Sequence, residues 1–371
     1  MQKQLPRIRM NAYPVPVREG ESAISSLIVG GDGRVYGATS GRNAHLFAFC
    51  NVLGKRVTAI QAIPGPASIR NSLAMDEDMN LYAGVTTQGA DGVPHGVLHS
   101  LGVEVGMNFY EEAVGATSFK VVKPLRPLLE PVAGEGILCL HYHRSSRSLV
   151  GLTTPGTKLF KYSLDTGDCE TIATISPGGS VVAKRKGRLI SKCLIEMEDS
   201  HLYGTGEGGH FFKYDVAAGE ASYLPQRLPG MAVRRDWNSA ECLCSDGAGN
   251  IYGGTTDGFV FKFSPSGGKL VNFGKPSLER PVRGLAHKEG VLYGVCGSDN
   301  GIADLFSYDL STSHFEDLGM LNYIPCEGGE SGGHNVTPWS AWRVATLVKD
   351  CHGTIYLGED DSKGHLFTFF T

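Results

Sequence analysis

The chain contains, at residues 35–49, the stretch Val35-Tyr36-Gly37-Ala38-Thr39, a short polar turn, and then His45-Leu46-Phe47-Ala48-Phe49. Related stretches recur along the chain at intervals of roughly 40 to 65 residues. Six further copies are centred on Tyr82-Ala83-Gly84, Val150-Gly151, Tyr203-Gly204, Tyr252-Gly253, Tyr293-Gly294 and Tyr356-Leu357-Gly358. Each copy predicts two short strands that are joined by a turn.

Two further strands flank each pair. A short apolar run and a turn signal precede the pair, as in Leu27-Ile28-Val29 before Gly31-Asp32-Gly33. A second turn and another apolar run follow it, as in residues 165–175. Four strands per repeat, repeated seven times, predict an all-β fold: a seven-bladed β-propeller of four-stranded antiparallel blades. Because such a ring uses the whole chain, we assign residues 1–371 to a single domain.

The two ends of the chain predict how the ring closes. The last copy stops at Thr371, directly after its third strand, so its blade lacks an outer strand. Residues 5–13 precede the first blade and have the apolar character to supply that strand. Such closure would remove the open sheet edge that a linear array exposes.

Composition limits the classes of partner. The net charge of −4 argues against a broad basic face, so we expect neither a nucleic-acid nor a membrane partner. The N-terminal residues lack an apolar core of signal-peptide length, and we expect a cytoplasmic protein. The nine cysteines include no C-x-x-C pair, which favours small core residues over disulfides or a structural zinc site.

Arginine and tryptophan are concentrated in the loops that enter the first strands of the blades. Guanidinium groups bind carboxylates, and indole rings stack on the faces of sugars, so this composition indicates a site for an acidic sugar. An alternative is that these side chains fill the seams between blades and cap loop carbonyls. The predicted substrate-binding residues are Arg70, Arg235, Trp237, Asn238, Arg283, Trp339, Trp342 and Arg343.

Histidines form a second pattern, because His45, His210 and His365 each stand immediately before a third strand. Converging imidazoles would bind a divalent metal, which is left open as a cofactor. A structural role, with each ring bonded to a neighbouring loop, is the favoured interpretation. We place residues 141–144, with the sequence His-Tyr-His-Arg, in a surface turn between first and second strands on the opposite face.

Acidic residues gather in the loops of the last two blades. They are Asp299, Asp304, Glu359, Asp360 and Asp361. Hard oxygen ligands of this kind bind calcium or sugar hydroxyls, but the stretch lacks the spacing of a calcium loop. Simple solvation is the favoured interpretation.

Through its repeat pattern the chain resembles the seven-bladed propellers of carbohydrate-active enzymes, particularly polysaccharide and oligosaccharide lyases and related rhamnosyl-glucuronate-cleaving enzymes. The resemblance implies cleavage next to a uronic acid, with a His or Tyr as base or acid and an Arg or polar cluster that neutralises the carboxylate.

The expected activity is therefore β-elimination on a small uronic-acid-containing oligosaccharide. His334 or His210 is the expected base, Arg235, Arg283 and Arg343 bind the carboxylate, and the tryptophans form sugar platforms. Two alternatives stay open: a non-catalytic propeller that binds a protein or a glycan, and a hydrolase of a small acidic glycoside.

Overall fold

Thirty β-strands make up most of the part of the chain that the computed structural model describes, namely residues 9–50, 56–108, 116–175, 191–278, 281–298, 301–323 and 339–370. No α-helix occurs in these ranges. Two short 3-10 turns, Glu207–Gly209 and Ala232–Trp237, lie in loops of the fourth and fifth repeats. The all-β prediction is confirmed.

The strands form seven four-stranded antiparallel blades, six of which pair in chain order and the last of which ends with the N-terminal strand. The first strands are β2 (Ala23–Val29), β6 (Leu73–Met75), β10 (Gly136–His143), β14 (Ile195–Glu196), β18 (Ala240–Ser245), β22 (Val282–Lys288) and β28 (Val344–Lys349). The second strands are β3 (Val35–Ser40), β7 (Asn80–Gln88), β11 (Ser148–Thr154), β15 (His201–Thr205), β19 (Ile251–Thr255), β23 (Val291–Cys296) and β29 (Ile355–Glu359). The third strands are β4 (Ala44–Phe49), β8 (Pro94–Asn108), β12 (Lys158–Ser163), β16 (His210–Asp215), β20 (Val260–Ser264), β24 (Asp304–Asp309) and β30 (His365–Phe370). The fourth strands are β5 (Val57–Ile63), β9 (Ala116–Leu129), β13 (Cys169–Thr174), β17 (Glu220–Arg227), β21 (Lys269–Gly274), β25 (His314–Met320) and, for the last blade, β1 (Arg9–Pro14).

Seven such blades form a ring in which the first strands surround a central channel. The N-terminal strand β1 pairs antiparallel with β30, with Met10 opposite Phe369 and Tyr13 opposite Leu366. The Tyr13 ring packs on Phe49 of the first blade at a centroid distance of 4.8 Å. The predicted blade count and the closure of the last blade by the N-terminal strand are therefore confirmed. A separate two-stranded ladder, β26 (Asn322–Tyr323) with β27 (Trp339–Ser340), lies between blades six and seven.

The repeated glycine has a packing reason in five blades. A Cβ on Gly37 would lie 2.1 Å from the ring of Phe47 on the neighbouring third strand, and one on Gly253 would lie 2.4 Å from the ring of Phe261. The same clash with a third-strand Phe ring would occur in the blades of Gly151, Gly204 and Gly294. The aromatic ring lies over the glycine, so the two residue types recur together.

The repeated tyrosine holds the turn between the first and second strands. In blade seven the Tyr356 hydroxyl donates to Asp350 Oδ2 at 2.8 Å. Asp350 Oδ1 accepts backbone N–H groups from His352 and Thr354, both at 2.9 Å. The same Tyr–Asp hydrogen bond joins Tyr36 to Asp32, Tyr82 to Asp76, Tyr203 to Asp199 and Tyr252 to Asp246. A single carboxylate thus fixes the turn and connects it to the second strand.

The segment at residues 141–144 departs from its predicted place. His141, Tyr142 and His143 belong to strand β10 and pair with Val150, Leu149 and Ser148 of β11. The turn begins only at Arg144. The turn therefore comprises residues 144–147, and the prediction of a turn at residues 141–143 is wrong.

Candidate functional site at the channel mouth

The first strands share an irregularity near their starts. In blades one, three, five, six and seven the register with the second strand shifts by one residue, which leaves a β-bulge. The residues at this position, and at the equivalent position of blades two and four, are Ser25, Asn71, Leu138, Lys192, Glu241, Arg283 and Ala345. A bulge redirects a side chain out of the regular alternation of a strand.

All seven of these residues line one cavity of about 100 Å³ at the end of the channel. Four residues of adjacent strands and loops complete its wall: Arg70, Arg343, Val344 and Asp360. We call these eleven residues the mouth pocket. Its composition arises because each blade contributes the same structural position with a different side chain.

The mouth pocket opens into the central channel. That channel forms a cavity of about 350 Å³, and its wall shares Asn71, Glu241, Arg283 and Ala345 with the mouth pocket. Below them the wall is mainly apolar, with a leucine of one blade after another. These leucines are Leu27, Leu73, Leu140, Leu194, Leu243 and Leu347. The two charged residues that the channel shares with the mouth pocket, Glu241 and Arg283, thus lie at one end of its apolar section.

Glu241 is the centre of one charged group, which we call the Glu241 cluster. Lys192 Nζ lies 2.7 Å from both carboxylate oxygens, and Arg283 Nη1 lies 3.5 Å from Oε2. The Thr256 hydroxyl donates to Oε1 at 3.2 Å. The Glu241 side chain is only 4% exposed, so its charge depends on these partners.

Asp360 is the centre of a second group, which we call the Asp360 cluster. Arg343 Nε lies 3.0 Å from Asp360 Oδ2, and Arg70 Nη1 donates to the same oxygen at 3.4 Å. The Asp360 carboxylate is buried, whereas the Arg70 side chain is 53% exposed. The sequence favours a solvated loop residue at Asp360, whereas the structure places this carboxylate in contact with two arginines.

The electrostatic balance of the mouth pocket is positive. It contains four cationic side chains and two carboxylates, although the whole chain has a net charge of −4. Each guanidinium has five N–H donors, more than the single carboxylate oxygen at Asp360 can accept. The arrangement is therefore suited to an additional anion, and above all to a carboxylate.

Three of the predicted substrate-binding residues meet in this pocket: Arg70, Arg283 and Arg343. Asn238 does not line it. The buried Asn238 amide donates to the Pro229 carbonyl at 2.7 Å and accepts the backbone N–H of Asp257 at 3.3 Å. These bonds hold the loop before blade five in place.

The aromatic residues of the prediction lie on the loops around the pocket. Trp237 ends the 3-10 turn before blade five and is 36% exposed, and Trp342 directly precedes Arg343 and is 51% exposed. Neither lines the mouth pocket. For Arg235 and Trp339 the structure describes the backbone, in the 3-10 turn and in β27, and their side chains lie outside the described part.

Of the two predicted catalytic histidines, the structure describes only His210. His210 begins the third strand of blade four and pairs with Arg227 of the fourth strand. It is absent from the pocket wall. His334 lies outside the described residues, so its assignment as a base stays a prediction.

Two of the three histidines that precede third strands, His45 and His365, contact separate carboxylates. His45 Nε2 lies 2.9 Å from Glu21, and His365 Nδ1 lies 2.8 Å from Glu359, which also accepts the His365 backbone N–H at 3.1 Å. Hydrogen bonding to His45 is the main cause that holds the pKa of Glu21 below its usual range. In the described ranges no group of three His, Cys, Asp or Glu side chains is arranged to hold a metal ion.

Farther along the channel from the mouth pocket, His141 lines the wall and contacts a carboxylate. His141 Nε2 lies 3.0 Å from Glu196 Oε2, and His143 Nε2 lies 3.6 Å from Oε1. Burial of Glu196 opposes its ionisation, but the hydrogen bond from His141 and the charges of both histidines outweigh it, and the pKa of Glu196 falls.

Sequence reasoning missed Lys192, Glu241 and the role of Asp360. A partial signal was present: Lys192 and Glu241 each stand eleven residues before the repeated tyrosine of their blade, and Arg283 stands ten residues before Tyr293, after a turn that is one residue shorter. The position carries apolar residues in other blades, Leu138 and Ala345, so the pattern of apolar and polar residues along the strands does not reveal it.

Comparisons with known proteins add no family to this description. No protein-family model matches the chain, and the search of curated proteins found no significant match. The resemblance to carbohydrate-active propellers therefore stays a prediction. Within the described residues, no helix combines the length and apolar character needed to cross a membrane.

Proposed function

We propose that the mouth pocket binds the carboxylate of an acidic sugar and that the protein cleaves a uronic-acid-containing oligosaccharide by β-elimination. One observation carries the proposal: among the residues that the structure describes, four cationic side chains, Arg70, Lys192, Arg283 and Arg343, line one cavity together with two carboxylates. The positive excess supports an acidic ligand, and the repeat pattern of the sequence supports a carbohydrate.

The chemistry requires three contributions from the protein. Arginine beside the uronate carboxylate withdraws its charge and acidifies the neighbouring C–H bond. A base then takes that proton, the carbon–carbon double bond forms, and the β carbon–oxygen bond breaks. An acid returns a proton to the leaving oxygen, so that the atoms balance without any further reactant.

Arg283 is the best placed group to bind the carboxylate. Its side chain is largely buried, at 16% exposure, and it lines both the mouth pocket and the channel. Lys192 and Glu241 are the adjacent groups able to transfer protons, because their 2.7 Å contact lies in the same wall. We assign Glu241 as the base and Lys192 as the acid within the described part of the pocket, with His334 and His210 as the sequence-based alternatives for the base.

The dimensions of the cavity support a small ligand end rather than a long polymer inside the channel. The mouth pocket holds about 100 Å³, on the order of three water molecules' share of the liquid. One acidic group and part of its ring would fill it. The rest of an oligosaccharide would lie over the rim, where Trp237 and Trp342 are exposed.

The test is ultraviolet absorbance during incubation with oligosaccharides of galacturonate and of glucuronate, with and without added divalent cation. β-Elimination creates an unsaturated uronate and a rising signal. Arg283→Met should lower kcat/KM by about 10²-fold or more, as the loss of a charge-stabilising donor does in other enzymes. Arg144→Met is the control, because Arg144 is 78% exposed and belongs to the turn of blade three. Turnover that is equal in the two variants would contradict the proposal.

A second candidate is a non-catalytic binding protein, and one observation favours it. The two carboxylates that line the mouth pocket each contact a cationic side chain at 3.0 Å or less. Either carboxylate would have to release that side chain before it could take a proton from a substrate. Saturable binding of a uronate without a change in absorbance would support this candidate. Release of reducing sugar without absorbance would instead indicate a hydrolase.

A further inference from the structure

Asn71 has an unusual backbone conformation at the wall of the mouth pocket. Its φ is 49°, in the left-handed region, which asparagine tolerates better than most residues do. It stands directly before a first strand that, in blade two, begins only at Leu73. In blade two a left-handed residue therefore occupies the position that a β-bulge occupies in five other blades.

The backbone of Asn71 is held by both neighbouring blades. Its N–H donates to the Ser25 carbonyl of blade one at 3.2 Å, and its carbonyl accepts the N–H of Leu140 in blade three at 3.1 Å. Because both main-chain groups are occupied, the group that Asn71 can offer to a ligand is its side-chain amide. That amide makes no hydrogen bond within the described ranges, and it is not sealed in the core. An amide on a fixed backbone provides a donor and an acceptor at little cost in ordering.

Asn71 lies across the ring from the charged residues of the channel. It lines both the mouth pocket and the channel, as Glu241 and Arg283 do. Asn71 stands at the entry of blade two, whereas Glu241 and Arg283 belong to blades five and six. In a ring of seven blades the point opposite blade two falls between blades five and six. A ligand that contacts Arg283 and spans the cavity therefore extends toward Asn71.

We infer that Asn71 determines specificity by binding the 2- and 3-hydroxyls of the uronate whose carboxylate contacts Arg283. This inference rests on the proposed function and adds a recognition element to the same pocket. In a pyranose ring the carbon that bears the carboxylate lies opposite carbon 2, so a sugar bound at Arg283 presents its 2- and 3-hydroxyls to blade two. The amide carbonyl accepts from one hydroxyl, and the amide NH₂ group donates to the other. Neither hydroxyl reacts in β-elimination, so Asn71 selects and orients the sugar and transfers no proton.

Ligands that differ only in these hydroxyls provide the test. Calorimetric titration would compare the methyl glycosides of glucuronate and of galacturonate with their 2-deoxy and 3-deoxy analogues. At least one analogue should bind roughly three- to tenfold more weakly than its parent, because a hydrogen bond between neutral groups is lost. Every ligand carries the carboxylate, so the comparison measures the hydroxyl contact alone.

Asn71→Gly is the informative variant, because glycine adopts a positive φ without strain and removes the amide. Ser313→Gly is the matched control, since Ser313 has a φ of 55° in an exposed turn of blade six. Asn71→Gly should weaken the parent ligand roughly three- to tenfold and leave the analogue unchanged, so that the two bind equally. A merely structural role would weaken parent and analogue by the same factor. Ser313→Gly should change neither affinity.

The outcomes separate this inference from the proposed function. Analogues that bind as tightly as their parents, or a difference that persists in Asn71→Gly, would overturn the role of Asn71 and leave the proposed function standing. Absence of binding by every uronate would overturn both.

Discussion

Gly253→Ala tests whether the contact between glycine and phenylalanine explains the repeat. The new Cβ would lie 2.4 Å from Phe261 Cζ and 2.8 Å from both Phe261 Cε1 and Leu243 Cδ2. Phe261 is fully buried, so its ring has little room to move. Overpacking of this kind costs about 1–3 kcal/mol, against which alanine in a strand recovers about 0.5–1 kcal/mol of backbone entropy. We expect a net loss of about 1–2 kcal/mol in the free energy of unfolding.

Urea denaturation, followed by circular dichroism, measures this loss as a lower midpoint at an unchanged slope. Gly267→Ala is the matched control, since a Cβ there meets no atom within 4 Å and φ is not positive. Its midpoint should stay the same or rise slightly. Phe261→Leu removes the ring, so the double variant should lose less stability than the two single variants together. Additive losses, or a larger loss in Gly267→Ala than in Gly253→Ala, would refute the packing argument.

Three other perturbations probe the blade turns, a half-buried histidine and the mouth pocket. Tyr356→Phe removes the 2.8 Å hydrogen bond to Asp350 and should lower the free energy of unfolding by about 1–2 kcal/mol in the same urea assay; no change would mean that the turn carboxylate is held by the backbone alone. Burial lowers the pKa of His99, so between about pH 7 and pH 5 the unfolded chain takes up a proton that the folded protein does not, and the melting temperature falls with pH. His99→Gln should make this fall smaller. An unchanged pH profile of the melting temperature would contradict the assignment. Glu241→Gln removes the carboxylate that Lys192 contacts at 2.7 Å and should lower the free energy of unfolding by about 1–3 kcal/mol, a value reduced because Lys192 is nearly one-third exposed. Titration of the same variant with a uronate disaccharide should show higher affinity. Lower affinity would mean that Glu241 itself binds the ligand.

The fold follows from features that act over short distances along the chain. Gly37 and Phe47 stand ten residues apart, and their contact repeats in other blades, so a simple pattern reveals the pairing of second and third strands. The closure by β1 was also predictable. The last repeat has three strands, which leaves one sheet edge unpaired, and the N-terminal residues come next to that blade in the ring.

The candidate site was only partly predictable, because ring closure creates it. Arg70 and Asp360 are 290 residues apart in sequence and meet only when blade seven joins blade one. Glu241 occupies a bulge, where the alternation that sequence reasoning relies on is interrupted. The arginines were found by their chemistry, whereas their acidic partners resembled ordinary loop or strand residues until the blades brought them together.

A crystal structure of the protein with a uronate disaccharide would test the central claim most directly. The account predicts that one carboxylate of the ligand lies within hydrogen-bond distance of Arg283 and Lys192 in the mouth pocket. A ligand bound at saturating concentration elsewhere on the ring, with the mouth pocket unchanged, would contradict it.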